Sequence, residues 1–297
     1  MKLISTSKSE PEVDTLVHSI DIKDGPGTFW MEGGYDKNKT IAIHYYKPMS
    51  FNQGSRVLLV IPGAGRNGDD YRDAWIELSE QYNLLVLSPE YSEQHYPGFW
   101  SYNLGGMIDN VDVQKQTFSI NHDASQWIFG DFDRVFDAVK TELNLTSYRY
   151  DLFGHSAGGQ LLHRLAIFEP ESKADRILAS NAGWYTVPSL SESFPYGLLS
   201  LHETAKELNF GANLILFLGE KDDENETRGH LRRSPEVDKQ GLHRLERGIY
   251  FYHQSKKIAA DSNLTFNWKL EIVPNVGHDY RLMSKKAGEY LYGAEKK

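Results

Sequence analysis

The chain has 297 residues, of which 40% are hydrophobic and 25% charged, with a formal net charge of −9 and no cysteine. That length is enough to bury a substantial core, and the composition is ordinary for a globular protein. The acidic balance gives no electrostatic support to nucleic-acid or anionic-membrane binding, and the missing cysteines exclude disulfides, thiolate metal sites and cysteine nucleophiles.

The first residues, "MKLISTSKSEPEVD", are polar and lack the apolar segment of a secretion signal. This fits a cytoplasmic protein, or a secreted or periplasmic one whose leader has been removed. No apolar run approaches the roughly 18–20 residues of a membrane span. Without repeats, low-complexity blocks or long linkers, residues 1–297 are expected to form a single domain, its core across about 40–293. "TIAIHYYKP" (residues 40–48) alternates and stops at proline, as an early antiparallel strand does. The runs "RVLLVIP", "NLLVLSP", "YRYDLFG", "RILASNAG", "NLILFLG" and "NWKLEIVP" are nearly continuous in apolar residues, the pattern of parallel strands covered on both faces. Helix-length segments alternate with them at about 69–81, 125–143, 157–168 and 239–260. In "DFDRVFDAVKTEL", Phe132, Val135, Phe136, Val139 and Leu143 recur at three- and four-residue spacing and mark an amphipathic face. The alternation predicts an α/β fold with a mainly parallel central sheet and helices on both faces.

Two of the loops after strands could carry chemistry. "VLLVIPGAGRNGDDYRDAW" spells GxGxxG behind a strand, the dinucleotide-binding pattern, with Glu90 closing the next apolar run. Asp69 and Asp70 follow the third glycine, where they would repel a pyrophosphate and are expected to cap the helix instead. "YRYDLFGHSAGGQLLHRLAIF" sets GxSxG between a strand and a helix, the context of a nucleophile elbow. Strand and helix approach closely there, so the flanking residues must be small, and the turn projects Ser156 outward at a helix start that favours negative charge.

A serine hydroxyl needs a base, and the base an orienting acid. In the strand–turn–helix setting these follow in the order acid, then histidine. "NLILFLGEKDDENET" offers Asp222 and Asp223 behind a strand, and "LEIVPNVGHDYRLM" offers His278 behind the last one. Acyl transfer also needs two amides for the oxyanion. Ala157, next to the nucleophile, is expected to supply one, and Ala64, in the glycine-flanked loop "IPGAG", the other.

With these residues in place, the chain resembles the α/β-hydrolase fold across residues 40–293. The segments "IPGAGRNGDDYRDAW", "GHSAGG", "LGEKDD" and "QGLHRLERGIYFY" resemble the polyhydroxybutyrate-depolymerase-like and feruloyl/acetyl-esterase-like hydrolases. The resemblance implies that the acid stands three residues after the glycine, which selects Asp222 over Asp223. The chain departs from it at Pro62–Gly63, where relatives often carry His-Gly, and in having no disulfide.

Residues 88–127 are rich in aromatics and are expected to form either a lid or cleft wall, with Tyr91, Trp100 and Tyr102 against the substrate, or a loop packed onto the body by its own aromatics. Trp184 and Tyr185 in "NAGWYTVP" are expected on the opposite wall. "RGHLRRSP" (residues 228–235) is either a solvated charged loop or a patch for a carboxylate or acidic polymer. His155 reads as a spacer in the elbow, His163 as helix packing, and Arg244 and Arg247 as structural. No histidine pair has metal-ligand spacing, so neither metal nor cofactor is expected.

The leading expectation is a serine hydrolase that cleaves a small or polymeric carboxylic ester through Ser156, His278 and Asp222. A serine peptidase or amidase on the same fold is the near alternative. A non-catalytic binding protein and an oxidoreductase using the GxGxxG loop rank behind it. The sequence leaves the oligomeric state open.

Overall fold

The computed structural model describes residues 20–34, 39–201, 208 and 210–296. The polar N-terminal segment on which the absence of a secretion signal was read lies outside the described residues. An eight-stranded sheet forms the centre, in the order β1-β2-β4-β3-β7-β8-β9-β10. Its strands are β1 (Gly25–Glu32), β2 (Thr40–Lys47), β3 (Arg56–Ile61), β4 (Leu84–Glu90), β7 (Tyr150–His155), β8 (Ala174–Ser180), β9 (Leu214–Gly219) and β10 (Lys269–Val273). The six strands from β4 to β10 pair in parallel, and β1 and β2 add an antiparallel edge. A separate hairpin, β5 (Ile108–Asp112) with β6 (Thr117–Ile120), projects from the aromatic-rich region.

The continuous apolar runs are explained by burial on both sheet faces. Val57, Leu59 and Ile61 of β3 join one core, and the alternate residues Leu58 and Val60 join the other. The first core takes in α4 (Gly130–Leu143), α5 (Ala157–Phe168) and α7 (Arg244–Asp261) through residues such as Phe132, Val135, Leu161, Leu165 and Phe251. The second takes in α1 (Gly68–Asp73), α2 (Ile76–Tyr82) and α8 (Tyr280–Tyr292) through Tyr71, Leu78, Met283 and Leu291. Two short helices, α3 (Gly98–Ser101) and α6 (Pro235–Asp238), lie in the loops above the sheet's C-terminal edge. This is the three-layer α/β architecture that the alternating pattern predicts.

Several boundaries differ from expectation. The helix expected over residues 69–81 is two helices, broken at Ala74 and Trp75. That over 125–143 begins only at Gly130, behind a 3₁₀ turn at Ala124–Gln126. That over 239–260 begins at Arg244, because Gly241 turns the chain at φ 139° and the His243 ring caps the helix at Glu246 N. Asp69 and Asp70 do not cap α1 as expected. Asn67 holds the cap position and its side chain bonds Asp70 Oδ2 at 2.6 Å, which leaves both acids in the first turn. Strand β1 carries no strong apolar alternation and is visible only as the partner of β2.

Candidate active site

Ser156 sits between β7 and α5 at φ 58°, ψ −112°, a backbone conformation that an L-residue adopts only when its surroundings impose it. Close approach imposes it here. A Cβ at Gly158 would lie 2.2 Å from the Ile61 carbonyl oxygen, and one at Gly159 would lie 2.5 Å from that of Ser180. The Ser156 amide donates to that same Ser180 carbonyl at 2.9 Å, which locks the turn against β8.

His278, in the loop between β10 and α8, brings Nε2 to 3.1 Å from Ser156 Oγ. Its Nδ1 lies 2.7 Å from Asp222 Oδ2, in the loop after β9. The carboxylate can only accept, so Nδ1 carries the proton and Nε2 is free to take one from the serine. Asp223 bonds the Asn225 amide within its own loop and makes no contact with His278. Of the two aspartates, it is therefore Asp222 that meets the histidine.

Asp222 is 1% exposed, and two further donors reach its carboxylate. Asn181 Nδ2 donates to Oδ2 at 2.8 Å, and Arg244 donates to Oδ1 at 3.2 Å. Arg244 is thus structural in a specific sense, and the sequence reading missed its target. Asn181 also donates to the Gly277 carbonyl and accepts the Gly219 amide, which ties together the loops after β8, β9 and β10. The His278 backbone amide donates to Glu226 at 2.7 Å. Hydrogen bonds from Arg228 hold the Glu226 carboxyl far below its usual range, so it stays charged.

His155 is buried with its ring 4.5 Å from that of His278. Burial, and then the neighbouring His278, drive its pKa well below the ordinary value, so it remains neutral and adds no positive charge beside His278. His163 is a packing residue, its Nε2 accepting the Thr186 amide at 2.9 Å.

The serine opens into a cleft of about 630 Å³ lined by Ala64, Ala157, His278, Trp184, Tyr280 and Phe99 among others. The alanines expected to supply the two amides lie on this cleft together with Ser156. Neither amide donates to another described residue.

Four expected substrate contacts are corrected. Tyr91, Tyr102 and Tyr185 are wholly buried, and Trp100 borders a different depression beside Lys39 and Asp109. The Tyr91 hydroxyl bonds Asp131 and the Tyr102 hydroxyl bonds the Pro62 carbonyl, while the Tyr185 ring stacks on Phe251. The aromatic-rich segment is therefore mostly a self-packed wall that reaches the cleft through Glu93, Gly98, Phe99 and Asn103. Trp184 does line the cleft, seated on the Arg164 guanidinium at 4.4 Å. Tyr280, stacked on Tyr71 at 4.2 Å, lines it too, and its position just behind His278 was the signal that could have found it. The basic segment contributes Arg228, Gly229, His230 and Arg232 to the rim.

Glu90, the acid that closes the apolar run after the GxGxxG loop, is engaged within the protein. Glu90 Oε2 accepts the Gly68 amide at 3.2 Å and pairs with His44 Nε2 at 3.0 Å.

No protein-family model and no curated protein sequence matches the chain. Among solved structures, poly(aspartic acid) hydrolase-1 from Sphingomonas sp. KT-1 is 36% identical, with a TM-score of 0.79 over 92% of this chain and 100% of the other. The chain belongs to the α/β-hydrolase family. The hydrolase is also similar to LpqC, a poly(3-hydroxybutyrate) depolymerase from Bordetella parapertussis, at 28% identity and a TM-score of 0.80 over 92% of this chain and 91% of that one. S-formylglutathione hydrolase from Agrobacterium tumefaciens, 13% identical with a TM-score of 0.53 over 93% and 97% of the two chains, shares the fold. The resemblance read from "GHSAGG" and "LGEKDD" therefore holds at the level of fold and hydrolase class. Among the described residues, no helix of the hydrolase is long and apolar enough to cross a membrane.

Proposed function

We propose that the hydrolase is a serine acyl hydrolase, its nucleophile Ser156, its base His278 and its orienting acid Asp222. One observation carries this reading: the unbroken relay from Ser156 Oγ to His278 Nε2 at 3.1 Å and from His278 Nδ1 to Asp222 at 2.7 Å. Ser156 Oγ attacks the carbonyl carbon as its proton passes to His278, and Asp222 stabilises the imidazolium. The amides of Ala64 and Ala157 bind the tetrahedral oxyanion. Collapse expels the alcohol, which takes the proton from His278, and leaves an acyl-enzyme. Water then gives a proton to His278 and attacks the acyl carbon, which frees the acid and restores the serine. The leading substrate is a carboxylic ester, and no cofactor enters the cycle.

A second reading applies the same residues to the amide bonds of an acidic polymer. Arg232 on the cleft lining favours it, as does the 36% identity to a poly(aspartic acid) hydrolase. A fluorophosphonate probe tests the common mechanism. Wild-type protein should be labelled and S156A should not, and equal labelling of the two would remove Ser156 from the reaction. Parallel assays on p-nitrophenyl esters, poly(3-hydroxybutyrate) and poly(aspartic acid) then separate the two readings.

A further inference from the structure

The Tyr102 side chain is buried and does not line the cleft, yet its hydroxyl bonds the loop expected to receive the oxyanion. It donates to the Pro62 carbonyl at 2.6 Å, and both the ring and the bond are buried. The same carbonyl faces the first turn of α5, where a Cβ on Gly158 would stand 2.8 Å from it. Pro62 is thus held between the nucleophile's helix and Tyr102. The next carbonyl, of Gly63, accepts the Arg66 amide at 3.0 Å in a tight turn. In a trans peptide the N–H points opposite to the C=O, so this bond turns the Ala64 N–H away from the turn.

The brace continues beyond the loop. The Arg66 guanidinium lies 4.9 Å over the Tyr102 ring and donates to the carbonyls of Tyr91, Tyr96 and Gly98. Burial draws the Arg66 guanidinium down from its usual pKa, partly offset by Glu93, with which it pairs at 3.0 Å. Oxyanion loop and aromatic segment are therefore cross-linked twice, by an arginine reaching out from the loop and a tyrosine reaching in.

We propose that Tyr102 is a positioning residue for oxyanion stabilisation. Its phenol fixes the Pro62 carbonyl, and through it the position of the Ala64 amide relative to Ser156. This rests on the serine-hydrolase reading above. The oxyanion forms only after attack, so a displaced amide weakens the transition state and leaves ground-state binding alone. Displacements of an ångström or less at such a donor cost on the order of 10- to 100-fold in rate.

Tyr102→Phe tests it, since the ring and its packing are kept and only the donor is lost. Wild-type and S156A are assayed first on p-nitrophenyl acetate, and activity in S156A would reject the underlying reading, not the role of Tyr102. In Y102F, kcat should fall by roughly 10- to 100-fold with KM within about twofold. Inhibition by phenylboronic acid, whose serine adduct places an oxygen at the oxyanion position, should weaken by a similar factor. Tyr150→Phe is the control, because it removes another buried hydroxyl, bonded to Asp133 at 2.6 Å, at the far end of β7. It should lose thermal stability comparably without lowering kcat. Hydrogen exchange should quicken across residues 60–66 in Y102F and stay unchanged in α5. The proposal is overturned if kcat and boronate inhibition stay within twofold of wild type, if KM alone rises, if Y150F loses kcat equally, or if exchange in the loop is unaltered.

Discussion

At the scale of single residues, Asp222 and Asp223 differ by one position and by everything around them. Asp222 is buried among His278, Asn181 and Arg244, whereas Asp223 serves only its own turn. Asp222→Asn should therefore lower kcat by about 10³- to 10⁴-fold, since an amide can donate to Nδ1 and favour the wrong tautomer. Asp223→Asn should stay within about twofold, because it touches nothing in the relay. Initial rates on one p-nitrophenyl ester decide it, and a larger loss in D223N would reverse the assignment. Ser156 and His278 were legible because each stands at a fixed offset from a strand end, and backbone topology brings such positions together, whereas Asp222 was separated from Asp223 only by the resemblance. Asn181, Glu226 and Arg244 were not legible, because no spacing links them to the residues they support. The aromatic residues show a third kind of failure. Composition reveals that Tyr91, Tyr102 and Tyr185 are aromatic, but not which side of the wall they face, and all three turn inward.

At the scale of elements, α5 carries Ser156 at its N-terminal cap and Glu169 at its C-terminal cap. Burial first, and Asp133 second, raise the Glu169 pKa from 4.5 to about 7. A carboxylate at a helix C-terminus also opposes the helix dipole. Between pH 4.5 and 7 the folded chain thus binds more protons at this group than the unfolded chain, so stability falls as pH rises through that window. Below it the group is neutral in both states, and above it the full cost persists. Solvent reaching the half-buried side chain reduces the size of the effect. Glu169→Gln should raise Tm at pH 8 by a few degrees at most and lose that advantage by pH 4.5. Thermal scans of both proteins across this range would show it, and a difference independent of pH would refute it. The limits of α5 itself were legible from sequence, because GxSxG fixes its start and the apolar period its length. The break inside the expected 69–81 helix was not, because Ala74 and Trp75 carry no breaker signal, and only the burial of Trp75 under Phe153 marks the spot.

At the scale of the whole molecule, a chain of net charge −9 sets Arg228, His230 and Arg232, with Glu93, along its cleft. Arg228 is neutralised there by Glu226 and Asp279. Arg232 pairs with no carboxylate among the described residues, and its guanidinium lies 5.8 Å over the Phe99 ring at the cleft edge. An acidic polymer would be repelled by the molecule at long range and attracted at this rim at short range. Salt screens both effects over a Debye length of about 10 Å at 0.1 M, and on the acidic-polymer reading it is the rim contact that carries the binding. On the acidic-polymer reading, KM for poly(aspartic acid) should rise several-fold between roughly 50 mM and 0.5 M salt, and KM for an uncharged p-nitrophenyl ester should not. Arg232→Gln should raise KM for the polymer at low salt by about 3- to 10-fold and flatten its salt dependence. Steady-state kinetics on both substrates across that salt range measure this directly. A polymer KM that falls with salt in both proteins would mean that the net charge dominates, and would return the preference to a neutral ester.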